Sequence, residues 1–258
     1  MFLHAHPDDE AIFTGGTMAR LAAAGTRVVL VVATQGERGV ALASSEAAGS
    51  LAAHRRDETA EAAALLGAAR LEFLGYEDSG MLGDPANTAP GAFWSADTDT
   101  VATHLASLLR EERASALVVY DEHGIYGHPD HVKVHRVGVE AARRAEVQTV
   151  YEVTVDREYL HFVETHLVSE AGQALAAGAA SLGIAASGVG VPTVLVSTTV
   201  DVRAQLDVKR AAMAAHASQI PETASALRLP IEEFAGVYGY EWYIRQGPPG
   251  PLEALESI

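Results

Sequence analysis

The sequence predicts a three-layer, Rossmann-like α/β domain built around a mostly parallel sheet. Three observations carry this expectation. Arg27 to Thr34 is an unbroken β-branched run, and Ala116 to Tyr120 is another; such runs mark strands covered on both faces. Strand, helix and strand follow one another within about thirty residues at the start, which is a βαβ unit with a right-handed crossover. The alternation then repeats along the chain, as a parallel sheet requires.

Met1-Phe2-Leu3 is the apolar stub of a first strand that runs into His4-Ala5-His6. Only five residues precede His6, so this strand is expected to be short, with Met1 within it. Ala11 to Ala24 carries Ile12, Met18, Leu21 and Ala22 at helical spacing, and Gly25 stops the helix. Arg27 to Thr34 is the second strand. Ala52 to Leu66 is a helix with charges on one face (Arg55, Arg56, Glu58 and Glu61), and Leu71 to Leu74 is a short strand. Gly80 to Phe93 is rich in Gly, Pro, Asn and Asp and reads as a loop. Helices over Thr98 to Glu112 and Asp130 to Arg144 flank the strand at Ala116 to Tyr120. Strands at Thr149 to Val155 and Pro192 to Val200 and a helix over Val202 to His216 complete the series. Ala171 to Gly190, almost wholly Ala, Gly and Ser, has no clear assignment. No linker divides the chain. One domain over 1–258 is expected, with its motifs concentrated in 1–155 and a less regular remainder over 156–258.

Composition narrows the function. The 258 residues include 48% hydrophobics, enough for one sizeable core. Eighteen basic against 34 acidic side chains leave a net charge of −16. Such a surface repels phosphate backbones and anionic lipid, which argues against nucleic-acid or membrane binding. There is no cysteine, so thiolate chemistry is excluded and any metal must be held by His, Asp or Glu. The N-terminus lacks the basic and apolar regions of a signal peptide, and no apolar stretch is long enough to span a bilayer. A cytoplasmic protein is the default expectation.

Two segments concentrate chemistry: His6-Pro7-Asp8-Asp9-Glu10 and Tyr126-Gly127-His128-Pro129-Asp130-His131. Each follows a predicted buried strand and precedes a helix. In an open α/β sheet this places both at the carboxyl ends of strands, where ligands bind. Imidazole and carboxylate suit zinc or a similar divalent ion. Residues three apart share one side of a turn, so His6 with Asp9 and His128 with His131 are the geometric candidates. A catalytic zinc takes three protein ligands, and spacing alone does not say which of the four is left out.

The pair HPDDE and GHPDH resembles the LmbE-like, or PIG-L, family of zinc deacetylases. Further similarity lies in Gly15-Gly16-Thr17, in Thr34 with Gly36-Glu37, in Arg56 to Leu66, in Asp78-Ser79-Gly80, and in Lys209 with His216 to Gln219. The resemblance implies hydrolysis of an N-acyl group, acetyl above all, from an amino sugar or a similar small acylated amine. It implies His6, Asp9 and His131 as ligands of Zn2+, a site that also accepts Fe2+, Co2+ or Mn2+. Asp8 matches the general base, and His128 the residue that stabilises the oxyanion or protonates the departing amine. Asp130 matches a partner that orients His128 and raises its basicity. Tyr126 matches a tyrosine that assists at the tetrahedral intermediate, and Asp78 a sugar-hydroxyl contact. Glu37 and Arg56 are substrate-contact candidates, against the plainer reading of a solvated ion pair between them.

Plainer readings compete elsewhere. HPDD and GHPDH could each be a turn and helix cap. His4 reads as core, and His123, His161 and His166 as surface residues. Gly36 and Gly39 fit a tight turn better than a phosphate cradle. The aromatic cluster Tyr238, Tyr240, Trp242 and Tyr243 fits local packing, with a lid or a homo-oligomer interface as alternatives, and Glu232-Glu233 lies beside it. For the site as a whole, the rival functions are an amidase acting on a larger conjugate or antibiotic intermediate, and a metal-binding protein without turnover.

Overall fold

The computed structural model describes residues 1–38, 48–163, 188–220 and 224–255. In chain order its elements are β1 (Phe2–His4), α1 (Gly15–Ala23), β2 (Val29–Thr34), α2 (Ala48–Leu65), β3 (Arg70–Tyr76), α3 (Thr98–Glu111), β4 (Ala116–Tyr120), the single turn α4 (Gly124–Gly127) and α5 (Pro129–Ala145). Then come β5 (Thr149–Thr154), α6 (Arg157–Phe162), β6 (Thr198–Asp201), α7 (Leu206–Ala215), the short α8 (Ser225–Arg228), α9 (Ile231–Tyr238) and β7 (Tyr240–Gln246).

The strands form one seven-stranded sheet in the order β3-β2-β1-β4-β5-β7-β6. The first five are mutually parallel, and β7 runs antiparallel to both β5 and β6. The sheet is therefore mostly parallel, as expected. The chain starts in the middle, moves outward through β2 and β3, then returns to lay β4 on the other side of β1. Right-handed crossovers in opposite directions put helices on opposite faces. Accordingly α3 packs on α5, while α1 and α2 pack on α7.

Burial follows the apolar runs. Every residue of β1, β2 and β4 is buried, and Leu3, Leu30, Val31, Val32, Leu117 and Val119 have no exposed surface. Gly16 permits the close approach of α1 to the segment before α7: a Cβ there would sit 2.3 Å from Val202 Cβ. Among the described residues, no helix is long and apolar enough to cross a membrane.

Three expectations need correction. The helix expected over Ala11 to Ala24 is two pieces, a π-turn at Glu10–Thr14 and then α1, with Thr14 at φ −136° between them. The strand expected from Pro192 shrinks to the four residues of β6. A 3-10 turn at Thr193–Leu195 precedes it, with Val194 86% exposed. Of the aromatic cluster near the end, Tyr238 ends α9, while Tyr240, Trp242 and Tyr243 lie on a strand, β7, inserted between β5 and β6. Its fully inward residues are Glu241 and Tyr243, while Trp242 and Ile244 stay half-buried. A buried glutamate hides a strand from hydropathy. Here it is satisfied by Lys209 Nζ (2.6 Å) and the amides of Gly16 and Thr17 (2.8 Å each). Of the Ala/Gly/Ser stretch, residues 171–187 lie outside the described residues.

Candidate metal centre and active site

β1 and β4 are neighbours whose following connections leave in opposite directions, and such a switch point opens a crevice at the carboxyl ends of the strands. The HPDDE loop enters from β1 and the GHPDH turn from β4.

In the first loop Asp8 adopts φ +94°, a left-handed conformation rare for a residue with a side chain. Asp9 stands at the helix-capping position yet makes no side-chain cap. Its Oδ2 instead accepts the His6 amide (2.9 Å) and lies 3.3 Å from both His6 Nδ1 and His131 Nε2. The capping explanation of HPDD therefore fails: the carboxylate is turned to two imidazoles.

In the second loop Gly124 adopts φ +65°, and a Cβ there would meet His131 Cβ at 2.6 Å. Ile125 is also left-handed, at φ +64°. Asp121 Oδ1 accepts the amides of His123 and Ile125 at 3.0 Å each and holds this turn. Here the capping explanation is half right. His128 caps α5, its Nδ1 accepting the Asp130 amide at 3.1 Å. In the neutral ring that bond leaves the proton on Nε2. His131, fully buried, stacks on Tyr120 with centroids 4.1 Å apart and planes 11° from parallel.

The loops meet. Ring centroids are 4.6 Å apart for His6 and His128, 5.4 Å for His6 and His131, and 5.3 Å for His128 and His131. Ligand atoms of His6, His128 and His131 lie within 4.8 Å of one another, and so do those of His6, Asp78, His128 and Asp130. His6 Nε2 is 3.2 Å from Asp130 Oδ2 and 3.7 Å from Asp78 Oδ1. His131 Nδ1 and Asp130 Oδ1 are buried without a partner. The Tyr126 hydroxyl is 3.4 Å from His131 Nε2.

This donor set fits a divalent ion. Burial opposes charge on His6, but Asp78, Asp130 and Asp9 outweigh it and hold its proton well above the usual imidazole range. Burial likewise opposes charge on Asp9, but His131 and His6 keep it well below the usual carboxylate range. The carboxylates thus demand positive charge, which a proton supplies here and a cation supplies on binding. His6 presents Nδ1 to Asp9 and Nε2 to Asp130, the pattern in which a carboxylate orients a metal-bound histidine. Burial, with His6 and His131, pushes His128 down to about 2, so it is neutral. Burial pushes Asp8 up to about 6; Arg55 opposes this and Asp9 reinforces it. The Asp8 side chain retains 20% exposure. Burial, then Asp9, Asp8, Asp78 and Asp130, keeps the Tyr126 hydroxyl protonated.

Two sequence-derived roles change. Arg56 is exposed, its guanidinium 4.6 Å from the Phe73 ring centroid. Its neighbour Arg55 enters the site, donating to Pro7 O (2.6 Å), Asp8 Oδ2 (3.2 Å) and Gly36 O. The charges expected on one face of α2 are split: Arg55 and Glu58 lie on its buried stripe with Leu51 and Ala62, while Arg56 and Glu61 are exposed. Asp130 donates its backbone amide to His128 Nδ1, and its carboxylate charge favours the protonated form of that imidazole; Oδ2 is shared by His6 and Ser79 N (2.9 Å). Glu37 does not pair with Arg56. Its Oε1 accepts the Asp78 amide at 2.8 Å and anchors the Asp78 loop.

Asp78 is buried at the rim of the imidazole cluster. His4 is core, bonded to Tyr120 OH (3.0 Å) and Thr14 Oγ1 (2.8 Å). His123 and His161 are exposed; His166 and Gly39 lie outside the described residues. Sequence reasoning missed Glu10 as a site residue. It is wholly buried, with Oε1 2.6 Å from His216 Nε2 and Oε2 accepting the Asp8 amide at 3.1 Å.

Comparison with known proteins agrees with this geometry. The family profile described as PIG-L, GlcNAc-PI de-N-acetylase, matches residues 1–142. A 1D-myo-inositol 2-acetamido-2-deoxy-α-D-glucopyranoside deacetylase from Acidothermus cellulolyticus is 41% identical, covering 95% of this chain and 87% of its own. A protein of the same name from Thermobifida fusca is 36% identical, with coverages of 97% and 96%. Among solved structures, the N,N'-diacetylchitobiose deacetylase of Pyrococcus horikoshii has a TM-score of 0.61 at 22% identity, over 95% of this chain and 82% of that one. The 4-carboxy-2-hydroxymuconate hydratase of Pseudomonas putida has 0.59 at 20%, over 97% and 96%. A hydratase and a deacetylase on one scaffold show that the fold alone does not set the reaction. The profile, the whole-length relatives and the paired HPDDE and GHPDH loops together establish that this chain belongs to the PIG-L family of de-N-acetylases.

Proposed function

We propose that this chain is a zinc-dependent N-deacetylase that removes acetyl from a 2-acetamido-2-deoxyglucose linked to inositol. The observation that carries the reading is Asp9 Oδ2 poised 3.3 Å from both His6 Nδ1 and His131 Nε2, with Asp8 adjacent in sequence. The sugar assignment rests on relatives of that name that are 36–41% identical over nearly the whole chain.

His6, Asp9 and His131 would hold the metal. When bound there, zinc supplies a Lewis acid that polarises the amide carbonyl and acidifies water; Fe2+, Co2+ or Mn2+ suit the same donors. Asp8, raised toward neutrality yet still ionised at pH 7, takes the proton of the attacking water. His128, neutral with its proton on Nε2, donates to the oxyanion rather than acting as an acid. Tyr126, protonated beside His131, is a second donor. As the C–N bond breaks, Asp8 returns its proton to the departing amine, which leaves acetate and the free amino sugar. Asp78 is the sugar-hydroxyl contact, with Glu37 holding its loop.

The test is release of free amine from the N-acetylated glucosamine–inositol by zinc-loaded protein. Asp8→Ala is expected to lower kcat by about 10²–10⁴-fold while one metal per chain remains bound. Absence of hydrolysis of that conjugate and of simpler N-acetyl amino sugars by the metal-loaded protein would overturn the proposal.

A further inference from the structure

The family profile ends at residue 142, yet the base is tied to a residue far beyond it. Asp8 sits at φ +94°, and such a conformation is strained and persists only where the surroundings over-determine it. Its carbonyl accepts the amides of Ala11 and Ile12 at 3.1 Å each, and its carboxylate meets Arg55. Its amide donates to Glu10 Oε2 at 3.1 Å. Glu10 is wholly buried, and its other oxygen is 2.6 Å from Nε2 of His216, also wholly buried, at the end of α7. Without His216, Glu10 would be a buried carboxylate with one oxygen unpaired, free to swing away from Asp8.

We propose that Glu10 and His216 are positioning residues for Asp8: a buried imidazole from the C-terminal part of the chain orients the carboxylate that locks the base in its left-handed conformation. The proposal builds on the assignment of Asp8 as base. Neither residue touches the substrate; each acts through the Asp8 backbone. The late helix is thereby part of the catalytic apparatus, and an N-terminal fragment ending with the profile would lack the lock.

The geometry is tested separately from the chemistry. In the full chain with zinc added, exchange of the Asp8 amide proton is followed by NMR. It is expected to be slow in wild type and in His216→Gln, whose Nε2 can replace the imidazole donor, and at least about tenfold faster in His216→Ala. In turnover, His216→Ala is expected to lower kcat by about 10–100-fold, with KM and zinc content unchanged and His216→Gln restoring most of the loss. If His216→Ala does not fold, His216→Asn, polar but too short to reach Glu10, takes its place with the same expectation. Equal exchange in wild type and variant overturns the proposal. So does a loss confined to KM or zinc content, or one that Gln does not recover. If wild type releases no amine, the deacetylase reading fails, and the exchange measurement still decides whether His216 locks Asp8.

Discussion

After β1 the chain turns through His6-Pro7-Asp8-Asp9, and after β4 through His128-Pro129-Asp130-His131. Both turns carry a left-handed non-glycine residue, Asp8 in one and Ile125 in the other, and both lead into helical backbone. The first leaves its helix start without a side-chain cap and directs its carboxylates into the site. The second caps its helix with a histidine, and the cap bond sets which nitrogen of His128 keeps the proton. The first loop thus supplies the base and the Asp9 carboxylate, and the second supplies the neutral His128 beside the Asp130 carboxylate that pairs with His6. One Pro-Asp pattern serves two purposes because the adjoining residue is carboxylate in one loop and imidazole in the other.

The sharpest way to break this comparison is to remove the first loop's charge. Asp9→Ala is expected to lose metal and activity together, by at least about 10³-fold, seen by metal analysis alongside amine release. Retention of a full metal complement would move the ligand set toward Asp78 and Asp130. Against it stands the neutral donor of the second loop. His128→Ala is expected to lower kcat by about 10²–10³-fold with metal content intact, and coupled metal loss would make His128 a ligand. Asp130 bridges the loops. Asp130→Asn is expected to weaken metal affinity or activity by about 10–100-fold, measured by competition with a chelator, because Asn gives His6 a weaker partner.

The pH profile separates the loops by titration. Asp8 acts as a base only when ionised, so activity falls about tenfold per pH unit on the acid side of its pKa. That pKa is about 6 without metal, and a cation lowers it, so the midpoint lies at or below 6. An acid limb at a higher pH would transfer the titration to the second loop. The smallest effects fall on α2. Arg55→Ala, which orphans Pro7 O and Gly36 O, is expected to lower stability by about 2–3 kcal/mol in chemical denaturation. Arg56→Ala is expected to stay within about 0.5 kcal/mol.

That pair of arginines shows how sequence reading reached and missed the site. Hydrophobic runs locate β2 and β4 because both faces of a central strand are apolar. They do not locate β7, whose inward positions include Glu241, satisfied by residues far away in the chain. Motif chemistry singled out His6, Asp9, His128 and His131, and the fold brings them together. It misjudged Arg56 by one residue, which on a helix is a quarter-turn, enough to exchange a buried guanidinium for a solvated one.

By itself the sequence determined the alternating α/β pattern, the buried central strands, the exclusion of thiolate ligands and the two loops that carry chemistry. Each follows from composition or short-range periodicity, which depends on neighbours within a few residues. Only the tertiary structure decided which atoms of those loops face one another, that Asp9 serves imidazoles rather than a helix end, that Arg55 holds Asp8, and that Glu10 reaches His216 across 206 positions. These are contacts between buried polar groups, whose partners are chosen by how the sheet and helices pack and leave no local mark in the chain.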